Sequence, residues 1–137
     1  MKLAPIFSVG LLVLGTLGLS ACGGHKYHLV PSFTVPAATG KVDVGHDDNG
    51  TTYDLKVRHL AKPQNLTPPE TAYVVWVQRP GLEAQNAGVL TVNDDLNGEF
   101  RGTTPYKSFD LFVTAEPNPR ASLPSGPRVL QQHMDAA

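Results

Sequence analysis

From residue 41 onward, apolar and polar residues alternate in short runs separated by residues that favour turns. The clearest run is 51–60, where Tyr53, Leu55 and Val57 share one face and Asp54, Lys56 and Arg58 the other. A period of two is the mark of a half-buried β-strand. Residues 41–44 lead towards it through His46-Asp47-Asp48-Asn49-Gly50, whose Asn-Gly pair predicts a tight hairpin turn. Residues 72–78 hold Tyr73-Val74-Val75-Trp76-Val77, apolar on both faces, as suits a central strand covered on two sides. Further strands are predicted over 87–92, over 99–103 as the return from a turn at Asn93 to Gly98, over 108–115 and over 128–132. Residues 61–71 contain Pro63, Pro68 and Pro69 and predict a long connection crossing from one sheet to the other. Residues 116–127, with Pro117, Pro119, Pro124 and Pro127, predict an open loop.

Short strands at this spacing, with no helix of convincing length, predict an all-β fold: one antiparallel, immunoglobulin-like β-sandwich of about seven strands. Composition supports this, because 11 of the 12 prolines and 10 of the 13 glycines lie beyond residue 21. Trp76, Tyr53 and Phe109 are the expected core aromatics, since large rings bury the most area. Residues 23–39, punctuated by Pro31 and Pro36, predict a tether that builds no core, with an edge strand near 33–35. Residues 133–137 are expected to fray.

The first residues have a different pattern. Lys2 precedes an apolar run over 3–19, relieved by Pro5, Gly10, Gly15 and Gly18, which reads as the charged and hydrophobic regions of an export signal. Leu19-Ser20-Ala21-Cys22 then resembles the lipobox of bacterial lipoproteins. The resemblance implies that 1–21 is a signal peptide and that Cys22 is acylated as the first mature residue. The only cysteine is thereby removed from thiol chemistry. Two or three acyl chains, at about 0.8 kcal/mol per buried CH₂, make a stable anchor. Gly23 stands where an aspartate would resemble an inner-membrane retention signal, so the outer membrane is the expected destination, facing the periplasm or the surface. The expected organisation is signal 1–21, acylated cysteine and tether 22–39, sandwich 40–132 and tail 133–137. Seventeen tether residues at about 3.3 Å each would reach roughly 55 Å.

Four segments carry a second resemblance: Tyr73-Val74-Val75-Trp76-Val77, Ala87-Gly88-Val89-Leu90, Ser108-Phe109-Asp110-Leu111-Phe112-Val113-Thr114-Ala115-Glu116-Pro117, and Pro124-Ser125-Gly126-Pro127-Arg128-Val129-Leu130. Together they resemble the extracytoplasmic C-terminal domain of anti-sigma-K-type factors over roughly residues 40–130. The resemblance implies a β-rich extracytoplasmic domain, at most a sensor. A regulator of that family also uses a cytoplasmic sigma-binding helical domain and a transmembrane helix, and a lipid anchor is expected here in the helix's place. As plain chemistry, Glu116-Pro117 and Pro124-Ser125-Gly126-Pro127 predict a rigid loop bridging two strands.

Charge and candidate chemistry narrow the function. Eleven basic against twelve acidic residues give a net charge of −1, without the cationic excess that nucleic-acid binding needs. No Gly-x-Ser-x-Gly occurs, and Ser108, Ser122 and Ser125 have no histidine nearby in sequence, so no enzyme is expected. His25-x-x-His28, with His46 as a third candidate, could hold copper or zinc, although a solvated flexible linker is the plainer account of the pair, since no third ligand is near it in sequence. Asn93-x-Asp95-x-Asn97-Gly98 imitates the start of a calcium loop, yet Thr104 occupies the twelfth position. Trp76 and Tyr73 could stack on a sugar if exposed, but an apolar strand more often buries such rings. No motif implies a cofactor. The expectation is a non-enzymatic lipoprotein, anchored to the membrane through Cys22, whose sandwich binds a protein partner in the envelope. The alternatives are a metal-binding lipoprotein or a sensor domain.

Overall fold

The computed structural model describes residues 24–135. It is all-β: β1 (His25–Pro31), β2 (Thr39–Asp47), β3 (Gly50–Arg58), β4 (Ala72–Gln78), β5 (Gln85–Leu90), β6 (Gly98–Thr104), β7 (Phe109–Glu116) and β8 (Arg128–Met134). One turn of 3₁₀ helix over Pro63–Asn65 interrupts the β3–β4 connection. All pairings are antiparallel, in the order β5-β4-β7-β8-β1-β2-β3-β6. The sheet folds over on itself at β1. Residues from His25 to Leu29 pair with β2, whereas Val30 and Pro31 pair with β8.

This hand-over corrects the expected tether. The segment 25–31 is a paired strand, and Leu29, Val35 and Ala38 lie in the core at 5, 4 and 2% exposure. The alternation in His25-Lys26-Tyr27-His28-Leu29 is weak because only Tyr27 and Leu29 are apolar, so the strand does not stand out by pattern. It is the eighth strand, beyond the expected seven. The expected tail is likewise partly strand: β8 continues to Met134, which is wholly buried.

The β2–β3 hairpin forms as expected, but its two-residue turn is Asp48-Asn49, since Asp47 pairs with Gly50. Asp47 Oδ1 accepts the Asn49 amide at 2.8 Å, a side-chain cap of the turn. Gly50 is needed for another reason. Its φ is +135°, and an added Cβ would lie 2.2 Å from the Thr104 carbonyl oxygen. Residues 72–78 match β4 to the residue. The turn at 93–98 does not close a hairpin, because β5 pairs with β4 and β6 with β3. It crosses between the two halves instead. Where the edges β5 and β6 meet, Phe100 packs against Gly88, so the sandwich is almost closed into a barrel.

The order β8-β7-β4-β5 follows the immunoglobulin plan, while the direct β2–β3 hairpin is particular to the other half. Strand alternation divides the apolar residues into two clusters. The main core takes the inward residues, among them Val42, Tyr53, Leu55, Tyr73, Val75, Phe109, Leu111 and Leu130. Trp76 is fully buried but lies outside that core. With Val74, Ala84 and Phe112 it forms a second cluster on the outer face of β4 and β7. Its ring stacks on Phe112 at 6.4 Å, and its Nε1 donates to Thr114 Oγ1 at 2.7 Å. This explains why β4 is apolar on both faces: one faces the core, the other a covering loop.

Candidate functional site

The start of β1 marks one end of the sandwich, the leading end, which also holds the β2–β3 tip and the loops 79–84 and 105–108. Loops 32–38, 59–71, 91–97 and 117–127 form the far end. Titratable residues gather at the leading end in two groups, one on each face of the sheet.

On the inner face, the row His25–Val44–Tyr53–Gly102 runs across four strands, and His46–Thr51–Thr104 follows as the next row outward. The His25 and His46 rings lie 6.5 Å apart, tilted by 55°. His46 Nδ1 is 2.9 Å from Thr51 Oγ1, and that hydroxyl donates to the Tyr106 carbonyl at 2.7 Å. His28 is not part of this group. Three residues along a strand reverses the face, so His28 shares the outer face with Lys41 and Lys56. The expected His25-x-x-His28 pair is therefore not brought together. Among the described residues, no group of three or more His, Cys, Asp or Glu could hold a metal ion.

On the outer face, His133 of β8 stands opposite Asp110 of β7. His133 Nδ1 lies 2.7 Å from Asp110 Oδ1, and its Nε2 lies 3.2 Å from Asp135 Oδ1. Ser108 Oγ donates to the same Asp135 oxygen at 2.8 Å, and Tyr27 donates its phenol to the Asp135 carbonyl at 2.9 Å. The hydrogen bond to Asp110, with Asp135 adding to it, holds the His133 imidazole above its ordinary pKa. Ser108 and then His133 hold the Asp135 carboxyl below its ordinary range. The fold thus assembles Ser, His and Asp from separated positions, but Asp135 lies between hydroxyl and imidazole. Ser108 gives its proton to a carboxylate, so the arrangement is a stitch between β1, β7 and β8 rather than a nucleophile with its base.

The far half carries a third polar feature. Glu116 has no exposure, and its carboxylate accepts Ser125 N at 2.7 Å, Ser125 Oγ at 3.0 Å and Gly126 N at 2.8 Å. Gly126 lies so close that an added Cβ would sit 1.6 Å from the Ala115 carbonyl oxygen. The Glu-Pro and Pro-x-Gly-Pro segments are thus two halves of one latch. It closes loop 117–127 as a strap over Trp76 and Phe112. Asn86 Nδ2 fastens the strap's middle through the Pro119 and Ala121 carbonyls at 3.1 and 2.9 Å. Arg128 places its guanidinium 3.8 Å above the Phe112 ring at the strap's margin.

The outer face of β1, β2, β3 and β6 carries a charge ladder, Lys26–Asp43–Asp54–Arg101. A groove of about 490 Å³ runs over Asp43, Asp54 and Arg101. Arg101 Nε reaches Asp54 Oδ2 at 3.3 Å, while Asp54 Oδ1 is buried and meets no donor among the described residues.

Other sequence candidates resolve simply. Trp76 and Tyr73 are both fully buried, so neither offers a stacking face. Asn93 Oδ1 accepts the Asp95 and Asn97 amides at 3.0 and 2.9 Å, which makes the 93–98 segment a side-chain-capped turn. The lipobox residues Leu19, Ser20, Ala21 and Cys22 lie outside the described residues. Among those described, no helix is long and apolar enough to cross a membrane. The His133 group was illegible in sequence because Asp110 and His133 are 23 residues apart, with no local motif joining them. No family model, no curated protein and no solved structure matches the chain.

Proposed function

We propose that this chain is an exported lipoprotein of the bacterial envelope, anchored through Cys22, and that its sandwich is a non-enzymatic module which binds an envelope protein at its far end. One observation carries the reading: Leu19-Ser20-Ala21-Cys22 follows the apolar leader directly, and the first strand begins at His25, only Gly23 and Gly24 later. Three residues at about 3.3–3.6 Å span only about 10 Å. An anchor at Cys22 therefore holds the leading end close to the headgroups, and the far end points away from the lipid. Strands of nine residues, as in β2 and β3, place it about 30 Å further out. The exposed apolar side chains follow the same polarity. Phe33, Leu96 and Leu123 lie in far-end loops, Phe33 with its whole surface free, whereas Leu82 is at the leading end. Scattered exposed apolar residues are ordinary, but several on the loops of one end suit a docking surface.

Mass spectrometry of the N-terminal peptide from the membrane fraction tests the anchor. The expected species begins at Cys22 and carries diacylglycerol, and Cys22→Ser releases the protein from the membrane fraction. An unmodified Cys22, or a retained leader, overturns the reading.

A further inference from the structure

We propose that His25 and His46 form a two-imidazole site for a borderline divalent cation, copper(II) ahead of zinc(II). The site depends on the inner-face geometry of the leading end and is independent of whether Cys22 is acylated.

The argument starts from the strand period. His25 pairs with Val44, and His46 stands two residues beyond Val44 on the same strand, so both imidazoles project from the inner face of neighbouring strands. Further along that face Val44 and Tyr53 are buried, but His25 and His46 lie at the rim, exposed to water. Two imidazoles bound to one ion through metal–nitrogen bonds of about 2.0–2.1 Å have ring centres roughly 5–6 Å apart. The observed 6.5 Å comes within that range by a small rotation of either exposed ring.

The tautomer of the neutral His46 ring follows from its neighbours. The Tyr106 carbonyl can only accept, so the Thr51 hydroxyl spends its proton there, over 2.7 Å. The same oxygen, 2.9 Å from His46 Nδ1, must then accept, which places the imidazole proton on Nδ1. Nε2 is left with its lone pair free for a metal, and among the described residues it meets no hydrogen-bond partner. A ligand histidine whose other nitrogen donates to a fixed acceptor is the usual arrangement around bound metals, since it sets both tautomer and ring orientation. Thr51 is 2% exposed, so the acceptor is held in place by packing. Asp47 and Asp48 at the adjoining tip add negative charge beside the site. Imidazole favours copper and zinc over the hard cations, and copper(II) stands highest in the divalent series. Water completes the coordination, since among the described residues no third protein ligand is grouped with the pair.

The test uses the full mature chain in detergent, titrated with copper(II) and zinc(II) chloride in equilibrium dialysis, with paramagnetic resonance of the copper form to count its nitrogen ligands. The expected result is one micromolar site with two imidazole nitrogens, tighter for copper. His25→Ala and His46→Ala each abolish it, and His28→Ala leaves it unchanged. Thr51→Val keeps the site but weakens it about 10- to 100-fold, the usual range for losing an outer partner of a ligand. Circular dichroism of each variant checks that the β fold is intact. An absence of uptake, a site that survives His46→Ala in the folded protein, or equal loss in His28→Ala overturns the proposal.

Discussion

A single buried carboxylate organises one flank of the molecule. Glu116 carries charge into a place with no solvent access, and such a charge is tolerated only when donors replace its water. Here the donors are the Ser125 amide and hydroxyl and the Gly126 amide, all in the strap. Charge-assisted bonds of this kind are stronger than neutral ones. Glu116→Ala is expected to lower the unfolding free energy by about 1.5–3 kcal/mol, because it strands two backbone donors. Urea denaturation followed by fluorescence of Trp76, the only tryptophan, measures it directly, since that ring lies beneath the strap. An unchanged midpoint would show that the latch contributes nothing. The two motifs were visible in sequence as turn formers. Their coupling was not, because it depends on nine to ten residues of loop bringing two amides onto one side chain.

Among the elements, β1 departs furthest from expectation and has the largest consequence. A proline, two histidines and a lysine give it the composition of a linker, yet it joins the halves of the sheet. Its place is decided by partners on both sides, β2 over its first part and β8 over its last, so pairing overrides weak local preference. Leu29→Ala is expected to destabilise the protein by about 2–5 kcal/mol, the range for truncating a buried leucine. A tether residue would change the denaturation midpoint by almost nothing, which makes the measurement decisive. The strands with clear alternation or a continuous apolar run, β3, β4 and β7, were legible because their patterns report burial directly. The 93–98 turn was legible as a turn but not as a crossing, because turn chemistry sets local backbone and says nothing about which strand lies beyond.

For the whole molecule, closure at the leading end is stitched by Asp110, His133, Asp135, Ser108 and Tyr27, which tie β1, the end of β8 and Asp135 onto β7 and the residue before it. His133 binds its proton more tightly when folded than when unfolded, chiefly through Asp110. Its contribution is therefore complete below the ordinary histidine value of about 6.5 and is lost as pH rises through the higher folded value. Asp135 acts with opposite sign, since its lowered value makes its contribution present above the ordinary carboxylate range and lost in acid. Both groups are largely exposed, so solvent screens the effect and the stability change is small. Titration of the His133 ring by NMR is expected to give a pKa above 6.5 that falls towards 6.5 in Asp110→Asn. A wild-type value at or below 6.5 would show that the stitch is absent in solution. Under the anchor proposed at Cys22 the same end would lie against the lipid, and its closure would then be a property of the membrane-facing surface.

The sequence by itself determined the all-β class, a hairpin turn within residues 46–50, the central strand around Trp76 and the strap's turn chemistry, because each follows from local pattern and backbone preference. Only the tertiary structure decided that residues 25–31 are a strand rather than a tether, that Trp76 packs under the strap instead of in the main core, and that His46 neighbours His25 while His28 faces away. Each of these depends on which strand lies beside which, and strand pairing is a long-range choice made by the burial of the whole sheet.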